Sequence, residues 1–467
     1  MESERKTFPV FDADGHVNDP TEIWTRYVPA AERDLVRSAY WKDDNGAVLN
    51  GRQCVMGGAR RDFDGLNPIA VGGPGMDRTL IRRLRQMRLT HDQRAYLDHA
   101  GTVDARARAA DMDLMGIDQA LILPTMLHAH LPFVRDPRGA AALCRAYNNW
   151  ARDWCATVAD RLFPAGLLPV QSATETVQEL ERIAALGFRV ALIRPMRPPS
   201  RDASGGGLGS FDALYRTLEE TGLVLGVHPL PIESPDGAAT PRVAADLIAR
   251  ASADRYVNRA TLSYMIDGMA WLAPVLLGGL LDRYPLLRVA ILGCGASWLA
   301  PLLVYLDRLF ALYRNERTTR STRLPSQAFR EQCVISFKSG EGSLLGREEE
   351  YREVAIWASD CYHADASDGW RAVHALRDAH VDDAVQATLL GANARRAYAI
   401  EAATFVAQPP GCIPRPAWFP TPDEIAAAWE REVHRRRWDG ASLRRLCSRL
   451  MPARIRASLI ALWRARS

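Results

Sequence analysis

The sequence predicts an α/β protein built on a single (β/α)8 TIM barrel, with a long insertion after the first strand and a helical C-terminal extension. Eight apolar, β-rich runs alternate with segments of helical periodicity. Continuous apolar runs are typical of parallel strands that are covered on both faces. Eight such units close into a barrel. The predicted strands are residues 8–17, 119–125, 162–170, 189–196, 222–229, 288–295, 333–339 and 354–360.

Amphipathic segments that predict the helices precede most of these strands. Their apolar residues recur with the spacing of one helix face, as expected for helices that cover a sheet. They are residues 139–159, 174–186, 211–221, 269–284 and 298–313, with closing helices at 368–379 and 392–402.

The predicted domains are a barrel over residues 1–405 and an extension over residues 406–467. Residues 18–117 form an Arg-rich insertion, predicted to cover the barrel mouth as a lid or to contact another subunit; the alternative is a solvated decoration. The extension opens with a Pro-rich linker and continues with helical segments. Its residues 431–467 hold eleven arginines against two acidic residues, and we expect this basic tail to pack on its own domain or to contact a partner subunit.

Composition indicates the class of protein. The 467 residues are 48% hydrophobic, and their net charge is +4. The eight cysteines form no C-x-x-C pair, which is typical of reduced thiols in a cytoplasmic protein. We expect no signal peptide, no transmembrane segment, no nucleic-acid partner and a homodimer; binding of the basic tail to acidic partners or an anionic membrane remains the alternative.

The first strand ends in the sequence Asp12-Ala13-Asp14-Gly15-His16. Side chains two residues apart share one face of a strand, so these acidic and imidazole groups are predicted to point into the barrel together. Asp14 and His16 then form half of a metal site. In the alternative interpretation they are turn residues after an edge strand.

Two further predicted strands supply the other half of this site. His228 ends the fifth strand and Asp360 ends the eighth. Barrel enzymes carry their chemistry at the C-terminal ends of the strands, and the first and eighth strands become neighbours when the barrel closes. Asp14, His16, His228 and Asp360 are therefore predicted to bind one divalent ion, with zinc expected and manganese or iron as alternatives.

These residues resemble the amidohydrolase superfamily, in the amidohydrolase-related branch that includes aminocarboxymuconate-semialdehyde decarboxylase and the resorcylate decarboxylases. The resemblance covers about residues 8–402. It rests on D-A-D-G-H at 12–16, N-N-W at 148–150, G-V-H-P at 226–229, L-L-D-R-Y-P-L-L-R-V-A-I-L at 280–292, W-A-S-D-C-Y-H-A-D at 357–365 and G-x-N-A-R-R-A-Y at 391–398.

The resemblance implies the same four ligands and a single metal ion. A binuclear site would have a lysine at the fourth strand and a histidine at the sixth, where this sequence has Arg194 and Gly293. Decarboxylases of this type usually carry a histidine at the sixth position as acid or base. Gly293 is therefore the main departure, and it requires another residue to transfer the proton.

Other polar residues near the strand ends are candidates for substrate binding and catalysis. Asp360, His363 and His228 are the predicted catalytic residues, with His363 orienting Asp360 or the substrate. Arg194 is a candidate clamp for a substrate carboxylate, because a guanidinium binds a carboxylate with two hydrogen bonds; the alternative is a surface ion pair. Lys338 is a weaker candidate of the same kind. His128 and His130 are expected to contact substrate or transfer a proton, with loop packing as the alternative.

Three functions follow from these residues. The first is non-oxidative decarboxylation of a small carboxylic acid, aromatic acids included. The Arg-rich insertion also indicates an anionic substrate. The second is hydrolysis of an amide, ester, lactone or C–C bond by metal-activated water, with Asp360 as base. The third is a barrel that keeps the metal for structure or regulation and uses its basic tail as the working surface.

Overall fold

The structure is a computed structural model that describes residues 5–43, 46–54, 100–195, 212–229, 255–317, 321–341, 348–363, 366–409 and 415–437, with separate residues between 74 and 97. Residues 1–75 and 98–413 form one compact unit, and residues 76–97 with 414–467 form a second. The basic tail predicted at 431–467 lies outside the described residues after Arg437.

Eight parallel strands form one sheet in which each strand pairs with the next along the chain. The predicted barrel and all eight of its strands are confirmed. The strands are β1 (Phe11–Val17), β2 (Gln119–Pro124), β3 (Leu162–Leu167), β4 (Val190–Ile193), β5 (Val224–Val227), β6 (Val289–Ile291), β7 (Cys333–Phe337) and β8 (Ala355–Trp357). Most are shorter than predicted because the polar residues at their C-terminal ends belong to loops. Two of these loops carry His228 and Asp360.

Helices cover the outside of the sheet and fill the connections. They are α1 (Glu22–Arg26), α2 (Arg33–Ala39), α3 (Ala105–Met115), α4 (Met126–His130), α5 (Pro137–Ala156), α6 (Ala173–Ala185), α7 (Asp212–Thr221), α8 (Arg255–Leu277), α9 (Leu280–Arg283), α10 (Leu299–Leu312), α11 (Pro325–Gln332), α12 (Glu348–Tyr351), α13 (Gly369–Asp378), α14 (Asp383–Ala387), α15 (Asn393–Tyr398) and α16 (Pro422–Arg437). Short 3-10 turns occupy Ala30–Glu32, Ala100–Thr102 and Leu131–Phe133, and a π-helical turn occupies Thr388–Ala392.

The helix predicted at 269–284 is two helices. Gly279 separates α8 from α9 with φ +66°, in the left-handed region that ends a helix. No described helix is both long enough and apolar enough to cross a membrane. In the insertion, strands Tyr40–Asp43, Gly46–Leu49 and Arg52–Cys54 form a small antiparallel sheet. The insertion's role as a lid and the homodimer stay predictions.

Hydrogen bonds to loop atoms close the barrel between β1 and β8. The Asp360 backbone N–H donates to the Asp14 carbonyl oxygen at 3.1 Å, and the His16 N–H donates to the Cys361 carbonyl. Asp12 accepts from the Ser359 backbone N–H at 2.8 Å and from the Ser359 hydroxyl at 2.5 Å. A β-bulge between Asp12 and Gly15 separates Asp12 from the Asp14–His16 pair. Asp12 therefore binds the loop after β8, and these hydrogen bonds form the seam between β1 and that loop. The prediction that Asp12 points in the same direction as Asp14 and His16 is wrong.

We expect Asp12→Ala to destabilise the folded chain by about 3 kcal/mol, because it leaves buried donors of Ser359 and the Asp14 N–H without an acceptor. Chemical denaturation measures this change. Asp12→Asn is the matched control, since its amide oxygen can still accept hydrogen bonds and should recover part of the loss. Equal stability of Asp12→Ala and wild type would contradict the role of this seam.

Candidate metal centre

The structure brings the four predicted metal ligands together at the C-terminal end of the barrel. Asp14 Oδ1 lies 3.2 Å from His16 Nε2, and Asp14 Oδ2 lies 3.4 Å from His228 Nε2. Asp360 Oδ1 lies 3.4 Å from His16 Nε2. All four residues are buried, at most 7% exposed. Three separate strand ends thus contribute to one cluster, as the sequence predicted.

Each member of this cluster is placed by the strand that carries it. Asp14 and His16 lie in β1, and His228 follows β5 directly, where its N–H donates to the Ile193 carbonyl at 3.0 Å. Asp360 follows β8 with φ +56°, a left-handed conformation that is uncommon for a residue other than glycine. This backbone turn presents the Asp360 carboxylate to His16.

The buried atoms of the cluster fit a divalent cation. Among the described residues, Asp14 Oδ1 and Oδ2, His16 Nε2 and His228 Nε2 have no hydrogen-bond partner. Buried polar atoms are rarely left in this way, and a buried carboxylate without donors is costly. Two imidazole nitrogens and two carboxylates together are a donor set for zinc, manganese or iron. The residues present therefore fit a divalent ion.

Protonation states in the cluster also suit metal binding. Burial raises the pKa of Asp14, but the imidazoles of His228 and His16 outweigh burial and hold it below its usual value. Burial, together with the neighbouring His363, lowers the pKa of His16 to about 4. A metal needs an ionised carboxylate and a neutral imidazole. Asp14 and His16 are in these states at neutral pH.

Lys338 and His363 both contact Asp360. The Lys338 amino group donates to Asp360 Oδ2 at 2.6 Å, and His363 Nδ1 lies 2.9 Å from Asp360 Oδ1. Burial raises the pKa of Asp360, but Lys338 and His363 act more strongly and hold it well below its usual range. The His363 ring stacks on His16 with centroids 4.0 Å apart. Lys338, only a weak candidate in the sequence, thus has a direct contact with a predicted ligand.

His128 and His130 lie in α4 and are buried. His128 Nε2 lies 3.0 Å from the His228 carbonyl oxygen, so its N–H can donate there and support the loop that carries His228. His130 Nδ1 lies 2.8 Å from the Met126 carbonyl oxygen, and its ring stacks on Tyr40. Their predicted contact with substrate stays a prediction.

Arg194 follows β4 and is buried. Its Nη1 donates to the Ala129 carbonyl at 2.9 Å, and its guanidinium lies 5.4 Å from the Phe133 ring centroid. Burial lowers its pKa to about 10, while the charge of Asp267 opposes this change. Arg194 is thus a buried cation that keeps its charge at neutral pH. Its role as a carboxylate clamp stays a prediction.

Gly293, the main departure from the expected pattern, lies directly against His228. Its φ is +66°, and a Cβ added there would lie 2.3 Å from His228 Nε2. Any side chain at this position would collide with the imidazole. The strand-six end therefore has no acid or base because His228 occupies the space beside it.

The family model for amidohydrolases matches residues 12–400. The chain belongs to the amidohydrolase family. The match spans β1 to the end of α15 and so includes every residue of the cluster. Comparison of the sequence with curated proteins gave no match.

Solved structures show the same fold at low sequence identity. An amidohydrolase from Mycobacterium avium subsp. paratuberculosis is 18% identical, with a TM-score of 0.63 over 84% of this chain and 99% of the other. The 5-carboxyvanillate decarboxylase of Sphingomonas paucimobilis is 20% identical, with a TM-score of 0.56 over 85% and 100%. A dihydroxybenzoic acid decarboxylase from Polaromonas sp. JS666, with bound manganese and the inhibitor 2-nitroresorcinol, is 15% identical, with a TM-score of 0.54 over 85% and 98%.

We expect Gly293→Ala to weaken binding of a divalent metal at least tenfold, because the added methyl group displaces His228. Titration of metal-free protein with Mn²⁺ measures the change. Gly222→Ala is the matched control: Gly222 has φ +71° but no atom within 4 Å of an added Cβ, so it carries the backbone strain without the collision. Equal loss of affinity in both variants would contradict the steric explanation.

Proposed function

We propose that this protein is a metal-dependent decarboxylase that removes CO2 from a small hydroxylated aromatic carboxylic acid. The observation that carries the proposal is the buried cluster at the strand ends. Asp14, His16 and His228 form one group whose ligand atoms lie within 4.8 Å of one another, and Asp360 forms a second such group with His16 and His363. Both carboxylate oxygens of Asp14 lack a hydrogen-bond partner among the described residues. Decarboxylases among the solved structures of the same fold support the reaction and the substrate class.

One divalent ion would be held by Asp14, His16, His228 and Asp360. When bound, it would supply positive charge that stabilises the negative charge developing on the substrate. The sequence predicts zinc, and the two-nitrogen, two-carboxylate set also suits manganese, which three of the similar structures contain. A single ion is favoured because the strand ends that would complete a binuclear site carry Arg194 and Gly293.

Proton transfer is assigned to His363. This role requires the doubly protonated imidazolium, in which Nδ1–H donates to Asp360 Oδ1 and Nε2–H gives up its proton. That proton passes to the carbon that bears the carboxylate. The bond from this carbon to the carboxylate then breaks, its electron pair returns to the ring, and CO2 leaves. His363 is then reprotonated before the next turnover.

Lys338 and Arg194 are proposed to favour an anionic substrate. Lys338 keeps Asp360 ionised and adds positive charge beside the cluster. Arg194, a buried guanidinium behind α4, adds a second positive charge. Both charges favour a carboxylate in the barrel mouth over a neutral molecule.

Hydrolysis is the second candidate function, and one observation favours it. Gly293 leaves the strand-six end without an acid, which weighs more against decarboxylation than against hydrolysis, and Asp360 is ionised at neutral pH, as a base must be. Asp360 would then take a proton from water, whose oxygen attacks an amide, ester or lactone carbonyl.

The reaction can be identified with carboxylated phenols and lactones in H2¹⁸O. We expect CO2 release from a hydroxybenzoate and a fall of at least a thousandfold in Asp360→Asn, which loses both a ligand charge and the partner of His363. Asp368→Asn is the control, because Asp368 caps α13 and asparagine caps helices equally well. A carbonyl product that contains ¹⁸O, without CO2, would instead establish hydrolysis.

We expect Lys338→Met to move the loss of metal binding to higher pH. Lys338 lowers the pKa of Asp360, so its removal raises that pKa, and Asp360 becomes protonated sooner as pH falls. Mn²⁺ titrations across acidic pH measure the midpoint. Lys338→Arg keeps the charge and should keep the wild-type midpoint. A Lys338→Met midpoint at or below that of wild type would contradict this contact.

A further inference from the structure

A buried arginine that the proposed reaction does not use lies beneath the cluster. Arg108 belongs to α3, far from β1 in the sequence, and only 1% of it is exposed. Its Nη2 donates to the backbone carbonyl of His16, and its Nε donates to the carbonyl of Gly101 at 2.9 Å. Its guanidinium carbon lies 4.4 Å from the centroid of the Tyr362 ring. One planar group thus contacts three separate segments of the chain.

We infer that Arg108 is a positioning residue that sets the metal affinity of the cluster through His16 and the loop after β8. The inference rests on the proposed metal site and adds a determinant outside its ligand set. Both backbone polar groups of His16 are held: its carbonyl by Arg108, and its N–H by the Cys361 carbonyl. The chain of contacts continues from Cys361 to its neighbours Asp360 and Tyr362.

The contacts of Arg108 link two segments that carry ligands. β1 carries Asp14 and His16, and the loop after β8 carries Asp360. Arg108 bonds the first segment directly and stacks against the second at Tyr362. A shift of the guanidinium would therefore move His16 and the loop of Asp360 relative to each other, which changes the distance between two proposed ligands.

The surroundings of Arg108 explain why a guanidinium is used. Within the described part of the chain it forms no ion pair with a carboxylate. Its guanidinium donates to two carbonyl oxygens and lies on the Tyr362 ring, and the carboxylates of Asp12 and Asp111 are near enough to contribute attractive charge. The Tyr362 hydroxyl donates to Asp111, which makes the ring a better partner for a cation. A flat, forked group can donate in two directions while one face lies on a ring, and an ammonium group cannot.

The space around this contact is also filled. A Cβ added at Gly101 would lie 2.1 Å from the Tyr362 hydroxyl oxygen, and one added at Gly15 would lie 3.4 Å from Arg108 Nη1. The Thr102 carbonyl, next to Gly101, accepts from the Asn18 N–H at 3.0 Å just after β1. The guanidinium therefore has little freedom to shift, which is the condition for fixing a ligand geometry.

The test compares Mn²⁺ affinity with thermal stability in three variants. Arg108→Met removes the charge and both hydrogen bonds, and Arg108→Lys keeps the charge but loses the fork. The control is Arg161→Met: Arg161 also donates to carbonyl oxygens, those of Asp118 and Ile117 at 2.9 Å, but at the start of β2, the opposite end of this strand from the cluster. Mn²⁺ is titrated into metal-free protein at a temperature where each variant is folded, and bound metal is counted by electron paramagnetic resonance.

We expect Arg108→Met to weaken Mn²⁺ binding about 10- to 100-fold, as is typical when a residue that orients a metal ligand is removed. Arg108→Lys should fall between Arg108→Met and wild type. Arg161→Met should lower the melting temperature yet keep wild-type affinity. Full Mn²⁺ affinity in folded Arg108→Met, or an equal loss in Arg161→Met, would overturn the inference. Absence of Mn²⁺ binding by wild type would overturn the proposed metal site and this role with it.

Discussion

The structure depends on the burial of two carboxylates and two imidazoles in one cluster without enough hydrogen-bond donors to satisfy them. Burial alone would neutralise Asp14 and Asp360, yet both are held in their ionised forms by neighbouring cationic or imidazole groups. An ionised, desolvated carboxylate costs several kcal/mol unless a cation compensates it. The barrel brings three distant strand ends to one such point.

Three members of the cluster are held in position by hydrogen bonds to atoms other than their proposed metal-binding atoms. The backbone carbonyl of His228 accepts from His128, and that of His16 accepts from Arg108. The second carboxylate oxygen of Asp360 is taken by Lys338. Because their partners bind backbone carbonyls, His16 and His228 are held in position while their Nε2 atoms stay available. Both carboxylate oxygens of Asp360 have partners, since His363 contacts Oδ1. In metal sites, contacts of this kind orient the ligands.

The barrel and the cluster could be predicted because both follow from periodicity. Eight apolar runs define the strands, and Asp14, His16, His228 and Asp360 are polar residues where those runs end. The bulge that turns Asp12 to Ser359 could not be predicted, because one extra residue in a strand leaves no pattern in the sequence. The contact of Arg108 with His16 could not be predicted either. The two residues are 92 positions apart, and nothing in the sequence distinguishes Arg108 from other helix arginines. Long-range contacts of single side chains require coordinates.

The close approach of Gly293 to His228 places the polar chemistry on one side of the barrel mouth. With no side chain at the strand-six end, two of the titratable groups beside the ligands are Lys338 and His363, and both contact Asp360. Asp360 then serves the metal through its charge and the proton donor through its Oδ1 atom. A residue with both duties couples the two functions, so a change that protonates Asp360 removes the ligand charge and the partner of His363 in the same step. This coupling follows from the contacts of the two Asp360 carboxylate oxygens with Lys338 and His363.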